Sequence, residues 1–526
     1  SPESLDYSTE TDPKKKGSYY LVNSRSDRFD GNLTLAYNKT IDKHMLNVGV
    51  GSNIMQSETE GESFTGVGFI NPDMIFIGAA NAFQENTSPQ GTYDKSRLVG
   101  FFTNVNYGYG NRYFLDFSFR SDGSSKFGRN SRFAPFWSLG VAWNVHNESF
   151  WHAHEKNALK LRASVGSTGT TNFSSTQALT TYLYDFSREY NGNFGVSLAG
   201  YGNSSLKWQT TLSYNVGVDF TFLHGLVVFN GDFYIKNTRS LLLPVTVAPS
   251  TGFIDYVENI GKLRNTGVEA RLRFNLIQDA VKDLRWNVTL SAFHNRSKIT
   301  QLSNQLETIN QYANDDRANQ GTVVYRQFEA GRSQTALMVV RSGGIDPATG
   351  NEIYIKRNGE MTFEYNHNDK IECGDMKPKI EGNVNTNLNW KGFNLYMLFK
   401  YQYGGKIYNA TLASKVEGVN PLKNADKRVL YDRWKEPGDH AKFRRIDDTS
   451  APYQTTRLVF DNNLLALQSV SLSYELPRKI SQKMYMERVK LLLSSTDLFR
   501  LSSVKQERGT SYPFARTFSI GLNVTF

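Results

Sequence analysis

One cysteine, Cys373, occurs in 526 residues, so this chain carries no internal disulfide and no cysteine-based metal cluster. Runs of roughly 18 or more apolar residues are missing, which excludes a membrane-crossing helix. Hydrophobic residues make up only 39% of the chain. Lys and Arg exceed Asp and Glu by ten charges, but they are scattered. Scattered cations argue against nucleic-acid binding, whereas anionic lipid headgroups or lipopolysaccharide would account for the same excess. The sequence has no GxSxG element, no Walker loop and no GxGxxG after a strand, and "HAHEK" at 152–156 lacks HExxH spacing. His152 and His154 are therefore not expected to hold a metal, and neither catalysis nor a cofactor is expected. The opening stretch "SPESLDYSTETDPKKKG" is no signal peptide.

Aromatics and glycine are abundant, with 34 Phe, 28 Tyr and 42 Gly, a mixture suited to antiparallel β structure. In "ARTFSIGLNVTF", Phe518, Ile520, Leu522, Val524 and Phe526 alternate with Thr517, Ser519, Gly521, Asn523 and Thr525. The same split runs through "KWQTTLSYNVGVDFTF" and "NRYFLDFSF". Only the two-residue period of a strand produces it. The pattern predicts fifteen strands, at 27–39, 43–58, 97–108, 112–124, 133–146, 158–168, 207–222, 225–240, 258–277, 283–299, 378–391, 393–407, 460–476, 487–499 and 514–526. Many exceed the usual strand of about 5–6 residues. A tilted strand crossing a bilayer needs about 9–11.

The connections alternate between short and long, as in an outer-membrane barrel with periplasmic turns and extracellular loops. If the last strand ends in the periplasm, all fourteen connections fall on the side their length requires. The fold class expected is therefore all-β, an antiparallel transmembrane β-barrel whose faces meet lipid and a wet or plugged lumen. A soluble β-rich adhesin is the alternative, opposed by strand length and loop alternation. Closure of an antiparallel barrel needs an even strand number, so fifteen imply an odd number upstream. Residues 1–26 are expected to form an outer lead-in, and 27–526 the C-terminal part of the barrel.

Specific blocks carry a family resemblance. "SRLVGFFTNVNYGYGNRYFLDFSFRSDGSSKFGRNSRFAPFWSLGVAWNVHNESFW" resembles the mid-barrel signature of SusC/RagA-like TonB-dependent outer-membrane transporters of Bacteroidota. "ALKLRASVGSTGTTN", "ENIGKLRNTGVEARL", "PKIEGNVNTNLNWKGFNLYMLFKYQYGGKIYN", "NLLALQSVSLSYELP" and "YPFARTFSIGLNVTF" are similar to later blocks, in the same order. The resemblance covers roughly residues 25–526 and implies a barrel of about 22 strands. It also implies a signal peptide, N-terminal extension, plug and first strands upstream, and Phe526 as a barrel-assembly signal. Two stretches depart from the pattern. "KRNGEM" at 356–361 stands where relatives carry an acidic, calcium-loop-like segment; with only Asn358 and Glu360 as side-chain donors, no metal is expected. "IDPATGNE" reads as a turn, and "LSSVKQERGTSYPF" lacks the acidic residues usual before the last strand.

The resemblance implies import of oligosaccharides or oligopeptides with a SusD-like surface lipoprotein and the TonB–ExbB–ExbD system, the latter through the plug segment. A structural or assembly scaffold within a larger outer-membrane complex is the rival reading, and a passive porin a second. Candidate substrate or lid contacts are Tyr182, Tyr184, Phe186, Tyr190 and Asn191 in "TTYLYDFSREYNGNFG", and Tyr312, Asn314, Asp315, Asp316 and Arg317 in "NQYANDDRANQ". Rings there can stack on sugars or fill peptide pockets while the polar groups direct hydrogen bonds. Asp122, Arg129 and Arg132 in "DGSSKFGRNSRF" are expected chiefly to shape a short outer loop.

Overall fold

Alternation of apolar and small polar residues folds the chain into one long sheet. The computed structural model describes all residues except 1–16, 70–75, 85–88, 129–130, 153–155, 171–177, 192, 201, 247–254, 260, 303–309, 311–326, 421, 423–424, 449 and 505–515. Its wall consists of β1 (Ser18–Ile41), β2 (His44–Val67), β3 (Gln90–Tyr109), β4 (Tyr113–Ser124), β5 (Phe133–Asn144), β6 (Ala158–Thr170), β7 (Gln209–Phe222), β8 (Val227–Arg239), β9 (Lys262–Asp279), β10 (Leu284–Gln301), β11 (Ile380–Trp390), β12 (Phe393–Tyr408), β13 (Val459–Glu475), β14 (Arg488–Ser502) and β15 (Thr517–Thr525). Each pairs antiparallel with the next in chain order, and among the described residues β1 and β15 do not pair with each other. All fifteen expected strands are present.

Seven short connections lie on one rim and seven long ones on the other. In the two-residue turn between β11 and β12, Lys391 and Gly392 both have positive φ (46° and 86°), the geometry of a type I′ hairpin turn. On the long-loop side the strands run further than the alternation suggested. β1 begins at Ser18 opposite Val67, the end of β2, and β3 begins at Gln90 opposite Ser63 of β2. Within this stretch "NSRSD" at 23–27 lies opposite "EGETE", read backwards along β2, and both faces are polar. Where water wets both faces the backbone ladder persists but the apolar period disappears.

Pairing carries the two faces intact from strand to strand. Phe117 lies opposite Val105 and Leu139, whereas its neighbour Asp116 lies opposite Asn106 and Gly140. Leu115, Phe117, Phe119, Trp137, Leu139, Val141, Val216 and Phe233 are all exposed on the apolar face. The polar face is hydrogen-bonded within itself. Arg162 of β6 reaches Asp219 at 2.8 Å and Asp232 at 3.1 Å, Asn106 donates to Asp116 at 2.7 Å, and Asn389 donates to Asn387 at 2.7 Å. Also on that face, Tyr234 lies over Gly267 so closely that a Cβ there would come 2.4 Å from its ring. The Tyr234 hydroxyl accepts from Asn295 at 2.9 Å, so one ring ties three strands.

Aromatic side chains gather on the apolar face at the short-turn rim. Tyr113 stacks with Trp143 at 6.4 Å, and Phe393 with Tyr474 at 4.2 Å. Tyr109 and Trp390 occupy the same level. Rings with a polar atom are favoured where hydrocarbon gives way to headgroups, so this belt marks one edge of an apolar band.

Candidate functional site

At the long-loop rim the connections fold into two packed clusters rather than trailing into solvent. The first joins the β4–β5 and β6–β7 connections. Phe127 stacks on Trp208 at 4.5 Å, with Phe136, Ala178 and Leu206 buried around them. A Cβ on Gly128 would sit 1.6 Å from the Ser204 carbonyl oxygen, so only glycine permits this approach. The Trp208 indole donates to the Arg132 carbonyl at 3.0 Å. Asn259 then bonds Lys207 through both its amide groups, at 2.7 and 2.8 Å, tying in the β8–β9 connection. The "DGSSKFGRNSRF" stretch thus works through a buried phenylalanine, and its Asp122 pairs with Arg120 of β4 at 2.5 Å. Arg129 lies outside the described residues.

The second cluster interlocks the β10–β11 and β12–β13 connections. Four short strands form a separate sheet in the order 361–362, 352–355, 336–345 and 370–375. Leu337 and Val339 from this sheet pack with Tyr408, Ala413, Val416, Phe443 and Leu458 into one apolar core. Beside it lies a buried ionic network. Arg457 reaches Glu417 at 2.6 Å and Glu352 at 2.9 Å, and both carboxylates are almost fully buried. Glu417 also receives Arg444 at 3.0 Å, Thr455 donates to Glu352 at 2.6 Å, and Arg444 continues to Asp448. Burial alone would lower the Arg457 pKa, but the two carboxylates outweigh it and hold the guanidinium charged.

Two turns show how backbone groups are satisfied here. Asp346 takes the Thr349 hydroxyl at 2.6 Å and the Ala348 and Thr349 amides, which lowers its pKa. "IDPATGNE" is accordingly a turn, clamped further by the Trp434 indole on the Pro347 carbonyl at 2.9 Å. At 356–361 the chain also turns back on itself, with Lys356 paired to Glu360 at 3.1 Å and Gly359 at φ 91°. Among the described residues no three His, Cys, Asp or Glu side chains cluster as metal ligands. Cys373 is half-buried, its thiol pushed up to about 11 by desolvation. Desolvation likewise lowers Lys370 to about 8.

A cleft of about 560 Å³ opens in this second cluster, lined by Leu412, Arg428, Tyr431, Phe443, Arg457 and Phe460 among others. Tyr431 is exposed beside an exposed ion pair, Lys442 to Asp432 at 2.9 Å. Rings, apolar floor and fixed charges together suit an amphipathic oligomer. Sequence reasoning missed both the cleft and the network, because Glu352, Glu417, Arg444 and Arg457 belong to separate, unpatterned stretches.

The residues singled out from sequence are placed as follows. Tyr182, Tyr184, Phe186 and Tyr190 lie on a strand, Thr181–Tyr190, hairpinned to Asn193–Gly200. Tyr182 is exposed, and Asn191 occupies the turn at φ 50°, a conformation asparagine tolerates. The side chains of Tyr184, Phe186 and Tyr190 are outside the described residues, as are Tyr312, Asn314, Asp315, Asp316 and Arg317 altogether. Phe526 is exposed.

Comparison with known proteins agrees with this architecture. The family model "TonB dependent receptor-like, beta-barrel" matches residues 3–343. TonB-dependent receptor P3 of Formosa agariphila is 26% identical over 536 aligned residues, covering 94% of this chain and 52% of the relative. TonB-dependent receptor SusC of Bacteroides thetaiotaomicron is 27% identical over 61% of this chain and 32% of its own. The chain thus spans about half the length of the curated relatives it matches. The RagAB peptide transporter structure superposes with a TM-score of 0.84 at 22% identity, over 97% of this chain and 56% of that one. The two-faced wall is therefore an outer-membrane one, with its short turns periplasmic, and the chain belongs to the TonB-dependent receptor-like β-barrel family.

Proposed function

We propose that this chain forms most of the wall of a SusC/RagA-like importer that takes up oligosaccharides or oligopeptides through the outer membrane. The observation that carries the reading is the asymmetry of the two rims: turns on one, and on the other folded loop clusters holding a cleft with Tyr431, Phe443 and the Asp432–Lys442 pair. A passive channel needs no such prefolded loop end, whereas capture of a dilute oligomer does. A SusD-like lipoprotein would cover the loops, and TonB–ExbB–ExbD would act through a plug in the lumen. Because β1 and β15 run in the same direction, an odd number of further strands is needed between them for antiparallel closure.

The test is growth of a deletion strain on single oligosaccharides or oligopeptides as sole carbon source. Growth should fail on one class and return with the wild-type gene. Tyr431→Ala should restore it only partially, with uptake reduced about tenfold at limiting substrate. Undiminished growth on every substrate, together with defective assembly of other outer-membrane proteins, would favour a scaffold and overturn the importer reading.

A further inference from the structure

On the lipid-facing side of β5–β9 the wall is dented. A groove of about 690 Å³ opens there. Its floor is made of small residues: Ala163 of β6, and Gly231 of β8 opposite Ala270 of β9. Leu161, Val216 and Phe233 rise around them. On β4 and β5 the same face carries the larger Phe117, Phe119 and Leu139, which bound the dent on that side. It lies in the half of the wall nearest the short turns, since Leu161 and Ala163 are close to the start of β6 and Gly231 to the start of β8.

The periplasmic end of the groove has a different chemistry. Tyr113 and Trp143 line it there, and both donate to one carboxylate oxygen of Glu148, at 2.6 and 3.0 Å. The other oxygen of Glu148 holds Arg112 at 3.4 Å, and the Arg112 side chain is 41% exposed at the rim. An apolar trench ending in an indole, a phenol and an accessible guanidinium matches an acyl chain with its phosphate.

We propose that this groove seats one acyl chain of a glycerophospholipid from the periplasmic leaflet, with its phosphate at Arg112. The apolar trench is continuous with the lipid-facing band, and the cation stands at the level where that band meets headgroups. Lipopolysaccharide is disfavoured because the groove lies at the turn end and not at the loop end. The inference requires only that the wall spans the membrane, and it is independent of what is transported.

Native mass spectrometry of the full-length protein tests it, after exchange from nanodiscs of equal phosphatidylglycerol and phosphatidylethanolamine into detergent. The wild type should retain one phospholipid per chain, enriched several-fold in phosphatidylglycerol. Ala270→Leu and, separately, Gly231→Leu should lower retention at least tenfold by filling the trench. Both variants should migrate as heat-modifiable barrels, which separates loss of the lipid from loss of the wall. A Cβ at Gly231 comes nearest the ring tip of Phe229, at 2.8 Å, with Val218 beyond it at 3.7 Å, and no backbone atom among its nearest neighbours. Arg112→Gln should keep the bound lipid but erase the headgroup preference. Equal retention in wild type and filled variants would overturn the proposal, as would an unchanged preference in Arg112→Gln. So would a second copy of the chain released by the filling substitutions.

Discussion

Arg457→Met should release the two largest loop connections from each other while the wall stays assembled. In the wild type its guanidinium makes both nitrogen contacts to Glu417, at 2.6 Å each, and one to Glu352 at 2.9 Å. Removing it leaves Glu352 with Thr455, and Glu417 with Arg444, as their remaining side-chain partners in this network. Breaking a buried pair by deleting one member costs about 3–5 kcal/mol, because the other charge stays out of water. Since roughly 1.4 kcal/mol is a factor of ten, proteolysis within 336–375 and 409–458 should accelerate about 10²- to 4 × 10³-fold when opening is fast relative to cleavage. The heat-modifiable band should persist, since the wall strands keep their own ladders. Combining Arg457→Met with Glu352→Gln and Glu417→Gln should recover part of the loss, because neither buried carboxylate is then left charged and Arg444 keeps Asp448. Unchanged protease resistance in the single variant would show that the loops are held by their apolar core alone.

The second large effect concerns the two faces of β7. Val216→Arg places a charge against hydrocarbon near the middle of the strand, where such a substitution costs about 2–4 kcal/mol in an outer-membrane barrel. Asn215→Arg, one residue away, points to the aqueous side and should change stability by about 1 kcal/mol or less. Urea titration of the two variants in liposomes should therefore separate them widely, although the substituted positions are adjacent. Similar stabilities would mean that position 216 does not face lipid.

The wall was legible in the sequence because one face of each strand is apolar and the other small or polar over ten or more residues. Phe518, Ile520 and Leu522 display that period directly, and all are exposed on the apolar face. Strand ends were less legible. Ser18–Asp27 pairs with Glu58–Val67, and the part of it from Asn23 to Asp27, opposite Glu58–Glu62, is polar on both faces, so hydrogen bonding continues through a segment with no hydrophobic period.

The loop clusters were hidden for other reasons. "ALMVVRSGGI" at 336–345 has a run of buried residues, Ala336–Val340, on both faces of its strand, so it shows no alternation. The buried carboxylates and guanidinium groups come from positions 352, 417, 444 and 457, and only folding brings them together. Aromatic density drew attention instead to Tyr182–Asn191, a hairpin with an exposed Tyr182. The cleft beside Tyr431 has no comparable local concentration.

The alternation itself can be measured most directly by spin labelling β4. With Cys373 replaced by serine, single cysteines from Tyr113 to Arg120 would be labelled in liposomes and probed with oxygen and a water-soluble nickel chelate. The account predicts a two-residue period, with oxygen contact greatest at Leu115, Phe117 and Phe119 and chelate contact greatest at Asp116 and Ser118. Equal chelate access along the whole strand, or a profile without that period, would contradict it.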